Sequence, residues 1–269
     1  AGRGRGTSAS RMGGGSANNK FALLGAFRAA AQLVAYEVPM IITLIIPVML
    51  AGSMGVQDIV VAQRDVWFIV LAPLAALIFF ITSIAEIGRA PFDLLEAESE
   101  IVAGFHIEYT GMKFGMWMLG EFLHAFTISV LTAVLFLGGW HGPYAEQVPV
   151  LGIVYFMLKS FAMYFMVIWI RSTFPRIRID HLHEFNWKFL VPLSLATVVV
   201  TALVDKGLTE FLPGAGVGAR AVALFAANVL LVLAVGELIR RGARTARMKI
   251  EEARAHAGHD EAAAHAGAH

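Results

Sequence analysis

Long apolar runs punctuated by short polar stretches dominate the chain. Six runs approach membrane length, at roughly 37–54, 66–86, 114–137, 150–171, 186–204 and 217–239. A span needs about twenty mostly apolar residues. The runs are continuous rather than alternating, and open backbone in lipid leaves its N–H and C=O groups without partners, so helices are predicted rather than barrel strands. The first run is short by itself. The Ala-rich stretch "FALLGAFRAAAQLVAY" precedes it, so its helix is predicted to start near Phe21. The expected fold is all-α: a polytopic transmembrane bundle of about six spans over residues 20–240, with an acidic cytoplasmic loop at 86–113.

The polar stretches between the runs set an orientation. Lys20 and Arg28, Arg89 and Lys113, Arg171, Arg176, Arg178 and Lys188, and then Arg240, Arg241, Arg244, Arg247 and Lys249 fall on alternate loops. The opposite loops hold Arg64, Lys206 and Arg220, and "GGWHGPYAEQVP" holds no Lys or Arg. Cytoplasmic loops carry the excess of Lys and Arg, so the first set is expected to face the cytoplasm. Residues 1–19 are Gly/Arg/Ser-rich, without the apolar core of a signal peptide, and read as a flexible lead-in. The chain starts with Ala rather than Met, which leads us to expect a processed chain or a fragment. Residues 241–269 read as a charged, Ala/His-rich cytoplasmic tail. Its histidines suit at most weak metal binding.

Composition agrees with a membrane class. Of 269 residues, 58% are hydrophobic and 15% charged, against about 25% charged in soluble domains, and the mean hydropathy is +0.68. The net charge of +1 implies no general attraction to nucleic acid. No cysteine is present, which excludes disulfides, thiolate zinc sites and cysteine-ligated iron–sulfur clusters within this chain.

Ionisable groups inside a span cost a few kcal/mol or more and are candidate functional sites. Glu121 and His124 lie three apart in "MWMLGEFLHAF", on one helix face. Lys159 lies mid-span in "YFMLKSFAMYF". Glu37 sits about 24 Å along its helix if that helix starts near Phe21, just before Pro39 and Pro47. Each has a plainer reading: Glu121 and His124 as an interhelical polar contact, Lys159 snorkelling to a surface, Glu37 at the interface, and Arg171, Arg176 and Arg178 as topology anchors.

The segment "AEIGRAPFDLLEAESEIVAGFHIEYTG", residues 85–111, carries Glu86, Asp93, Glu96, Glu98, Glu100 and Glu108 against the single Arg89. Glu96 and Glu100 share a helix face, where like charges repel. Interleaved Leu94, Leu95, Ile101, Val102, Phe105 and Ile107 are too apolar for a solvated loop. Carboxylates packed against protein take up protons more readily than in water, which is what a proton relay requires. The residues alone favour a proton-conducting or ion-coupled membrane protein.

The same segment, extended to "GMKFGMWMLGEF", resembles the membrane-arm subunit of respiratory complex I that builds the quinone site: the H subunit of the bacterial enzyme, NADH dehydrogenase subunit 1 in mitochondria. "NNKFALLGAFRAAAQLVAYEVP", "LFLGGW" and "IRSTFPRIRIDHLHEFNWKFLVPLSL" are similar to further parts of that family, so the resemblance covers about 18–205. It implies a proton-translocating NADH:quinone oxidoreductase of the bacterial inner membrane. This chain would carry no redox centre. NADH, FMN and iron–sulfur clusters would sit in hydrophilic-arm partner subunits, other membrane-arm subunits would flank it, and quinone would be the substrate. Carried over by position, Glu37, Glu86, Glu96, Glu98, Glu108 and Glu121 would belong to a buried charged chain, with Lys159 added as a relay candidate from its depth. Arg89, Asp93, Arg171, Arg176, Arg178 and Asp180 would belong to loops under the quinone chamber. The family's N-terminal spans have no counterpart before about Asn18, so a chain lacking them is expected. A homologous membrane subunit of a hydrogenase or F420-type dehydrogenase complex, or a stand-alone ion transporter, remains the alternative.

Overall fold

A computed structural model describes residues 20–88, 92, 111–145, 147–175, 179–211, 218–237 and 240. Every regular element among them is helical. The helices are α1 (Lys20–Ala51), α2 (Val56–Ala62), α3 (Phe68–Leu71), α4 (Pro73–Ile87), α5 (Met112–Phe136), α6 (Pro149–Thr173) and α7 (Ile179–Phe185). A π-helical segment, Asn186–Leu190, joins α7 to α8 (Val191–Phe211), and α9 is Gly218–Glu237. The predicted lead-in 1–19 and tail 241–269 lie outside the described residues. The chain divides into two compact units, Ala1–Asn228 and Val229–His269. In the second, the described residues are the end of α9 and Arg240, which faces Glu237 at 3.9 Å.

Among the described residues, five helices are long and apolar enough to cross a membrane: Ala26–Ala51, Met112–Phe136, Pro149–Thr173, His181–Glu210 and Gly218–Glu237. They make this a multi-pass membrane chain. The remaining predicted span, 66–86, is interrupted. Pro73 disfavours the helical conformation in the residue before it, and Ala72 accordingly adopts φ −136°, ψ 66°. The 15 residues of α4 reach about 22 Å, short of a hydrocarbon core of about 30 Å. The four residues of α3 continue toward the other surface.

The first helix, by contrast, runs 32 residues unbroken through Pro39 and Pro47. A proline has no N–H to give the carbonyl four residues back, so Pro39 leaves the Ala35 carbonyl without its helical partner. Asn186, at the start of the π segment, fills the gap: its Nδ2 donates to the Ala35 oxygen at 2.7 Å. A second amide serves α3. Asn228 Nδ2 donates to the carbonyl of Leu71, the last residue before the break, at 3.2 Å.

Lipid supplies no hydrophobic driving force between helices, so packing and polar contacts hold them together. α4 packs most extensively on α1, and α5 on α6. The apolar core lies around α3, the start of α4 and the end of α5. Phe79 and Phe136 pack there with ring centroids 5.5 Å apart, and Ile46, Ile59, Ala72 and Leu224 close around them. Buried Gln63 ties three elements: Nε2 donates to Ile59 and Val134 carbonyls at 3.1 and 3.0 Å, and Oε1 accepts from Gly138 and Phe68 at 2.9 and 3.3 Å.

Candidate functional site

α4 ends at Ile87, where Gly88 takes a left-handed conformation, φ 71° and ψ 27°, as the cap. Glycine enters that region at no steric cost, so the helix ends cleanly at Ile87. α5 starts at Met112, nine residues ahead of Glu121. α6 ends at Thr173, with Arg171 in its last turn. These three helix ends enclose a narrow cleft lined by Ile87, Glu121, Phe122, Ala125, Tyr164, Val167, Ile168 and Arg171. Glu121 and Ala125 are one turn apart on α5. Tyr164, Val167 or Ile168, and Arg171 follow the spacing of one face of α6.

The cleft measures about 30 Å³, room for about one water molecule. It brings a carboxylate, a phenol and a guanidinium to one place. Glu86 is half-buried next to Ile87, at the rim of this region. His124 is half-buried on α5 but does not line the cleft, and its Nε2 is buried without a hydrogen-bond partner. Glu37 is exposed on α1, although the preceding Tyr36 is fully buried.

Lys159 is elsewhere. It lies twelve residues before Arg171 on α6, about 18 Å along the axis. Its Nζ donates to the carbonyls of Leu137 and His141, both at 2.6 Å, and stands 4.4 Å from the centre of the Trp67 ring. Nearby opens a larger pocket of about 380 Å³, lined by Arg64, Trp67, His141, Gly142, Pro143, Tyr144, Ala145 and Gln147. Among these, Tyr144 adopts a positive φ of 59°. Among the described residues, none expected to serve the relay or the quinone loops lines that pocket.

Of the remaining expected residues, Arg89, Asp93, Glu96, Glu98, Glu108, Arg176 and Arg178 lie outside the described residues, and Asp180 is described by its backbone alone, in α7. Phe92 of the acidic segment is described. Its carbonyl accepts from Gln32 Nε2 at 2.9 Å, and the same nitrogen donates to Ala85 at 2.7 Å. The Tyr36 ring packs on that of Phe92, centroids 5.7 Å apart, and its hydroxyl donates to the Leu182 carbonyl at 3.0 Å. Sequence reasoning did not single out Gln32, Tyr36, Tyr164 or Asn186. The available signals were spacing ones: Gln32 and Tyr36 four apart, Tyr164 seven before Arg171. No group of three or more His, Cys, Asp or Glu suited to a metal is found among the described residues.

A family profile described as NADH dehydrogenase matches residues 6–202. The chain is 54% identical over 192 residues to the H subunit of NADH-quinone oxidoreductase from Geobacillus kaustophilus, covering 71% of this chain and 57% of that protein. It is 52% identical over 192 residues to the protein of the same name from Anoxybacillus flavithermus, covering 71% and 57%. To the one from Geobacillus thermodenitrificans it is 53% identical over 194 residues, covering 72% and 58%. The chain thus spans a little over half the length of the curated relatives it matches. With most of its length matched by the profile, and with relatives more than half identical to it, the chain belongs to the NADH dehydrogenase family.

Proposed function

We propose that this chain is the quinone-site membrane subunit of a proton-translocating NADH:quinone oxidoreductase in the bacterial inner membrane. The observation that carries the reading is the cleft of Glu121, Tyr164 and Arg171 at the foot of the acidic segment, in a chain whose relatives bear the name of that enzyme's H subunit. NADH, FMN and iron–sulfur clusters belong, in this reading, to partner subunits of the hydrophilic arm. Quinone is the substrate, reduced in a chamber roofed by those partners and floored by Arg89, Asp93, Arg176 and Arg178 together with Arg171 and Asp180, which the sequence places in loops but which stand at the end of α6 and the start of α7.

The part played by this chain is electrostatic. Reduction of quinone changes the charge and proton demand above the cleft. Glu86 and Glu121, with Glu37, Glu96, Glu98 and Glu108, respond by exchanging protons. Lys159 completes the charged set in the middle of α6. A unit charge a few ångströms away shifts such a group by several kcal/mol at low effective dielectric, enough to bias a pumping step.

The test is Glu121→Gln, and separately Glu98→Gln, in the assembled complex. The expected result is loss of proton translocation and slowed quinone reduction, with NADH oxidation by a water-soluble electron acceptor unchanged. Wild-type quinone reduction and wild-type pumping in both variants would overturn the relay.

A further inference from the structure

One turn of α1 touches the start of the acidic segment and the start of α7 together. Gln32 and Tyr36, four apart, share a face, and both are buried, at 2% and 0% exposure. The Gln32 amide donates twice, to Ala85 at the end of α4 and to Phe92. Tyr36 reaches two ways: its ring lies against Phe92 and its hydroxyl against the Leu182 carbonyl. One turn beyond Leu182, Asn186 donates back to Ala35. The two turns, 32–36 and 182–186, are therefore bonded in both directions, and Phe92 is clamped to the first of them. Among the described residues, Gln32 Oε1 and Asn186 Oδ1 are buried without partners, so both amides bind here through their donor ends.

We propose that the Gln32–Tyr36 turn is a shared anchor that fixes Phe92 and Leu182 relative to each other, so that a displacement at one is passed to the other. Phe92 lies inside one of the two segments assigned above to the quinone chamber, between Arg89 and Asp93, and Leu182 follows the other, two residues after Asp180; Gln32 and Tyr36 are positioning residues for both. The anchor is independent of that assignment. Its bearing on quinone reduction rests on the assignment.

The absence of native cysteine in the chain makes an introduced thiol a clean reporter. Ala85→Cys and Leu182→Cys, at positions each 1% exposed, are placed singly in the otherwise wild-type chain, assembled in its native membrane, and alkylated with a water-soluble maleimide; labelling is read on this chain alone. Gln32→Leu is then added to each. The expected result is a rise in labelling rate at both positions of roughly five- to tenfold, the ratio that loss of one buried hydrogen bond gives. Tyr36→Phe, which keeps the ring and drops only the hydroxyl, should raise labelling at Leu182→Cys. Asn228→Leu, which removes a comparable amide bond at Leu71, should alter neither. If Gln32→Leu changes only Ala85→Cys, or neither site, or if Asn228→Leu changes both equally, the shared anchor is refuted. If labelling behaves as expected while quinone reduction by the Gln32→Leu complex stays at the wild-type rate, the anchor stands and the assignment of the two segments to the quinone chamber falls.

Discussion

Asn186 donates to the carbonyl of Ala35 at 2.7 Å, and Ala35 is the residue whose helical partner Pro39 removes. The proline and the asparagine lie far apart in the chain and act as one unit. Asn186→Leu should destabilise the chain by about 1–3 kcal/mol, because it strands a buried carbonyl in an apolar setting. In a Pro39→Ala background, where residue 39 regains its N–H, the same change should cost about half as much or less. Thermal unfolding of the four proteins of this cycle in detergent measures the coupling. Equal costs in both backgrounds would show that the two residues act separately.

The Lys159 ammonium is enclosed by two carbonyls and an aromatic face. Lys159→Met keeps the length and removes the charge, leaving the Leu137 and His141 carbonyls without this donor. It should destabilise the chain by about 1–3 kcal/mol and loosen the stretch between α5 and α6. Limited proteolysis between residues 137 and 148, compared with the wild type, is the measurement; an unchanged cleavage rate would count against the staple.

Gly138 stands at φ 72°, and a Cβ there would meet the Trp67 indole at 3.0 Å. Gly138→Ala combines a strained backbone with a crowded one. A cost of about 1–3 kcal/mol is expected, with a shift in tryptophan fluorescence as the indole gives way. Gly207→Ala, with nothing within 4 Å of the added methyl, should leave the spectrum unaltered and stabilise its helix by up to about 1 kcal/mol.

Asn228 holds the Leu71 carbonyl from a helix that lies beyond the matched residues 6–202. Asn228→Leu should cost about 1–3 kcal/mol, and the loss should be visible as faster amide exchange at the start of α4, around Ala75. Exchange unchanged there would mean that α9 gives the interrupted span no support.

The long helices were legible because lipid imposes a length: α5 and α6 begin and end within two residues of the apolar runs at 114–137 and 150–171. The break at Ala72 was not. Pro73 was visible inside its run, but so were Pro39 and Pro47, and those sit in a continuous helix. At Pro39 the freed carbonyl is met by Asn186, a donor that a single sequence does not connect to Ala35. Glu121 stood out because charge at membrane depth is costly, Arg171 because it belongs to the Lys/Arg set that marks one side of the membrane, and they share a cleft. Gln32, Tyr36 and Asn186 did not stand out, since neutral polar groups carry no such mark. Lys159 was read as lying at mid-span. Its depth is met by the backbone after α5, whose Leu137 and His141 carbonyls come down to it.

The contacts of Lys159 also have an order in time. Trp67, Leu137 and His141 all precede it in the chain, so a ribosome delivers every partner before it delivers the ammonium. A cation entering lipid ahead of its acceptors would favour slipping back to water. Here the newly made helix finds its counterpart already waiting, and the hairpin of α5 and α6 closes as it emerges.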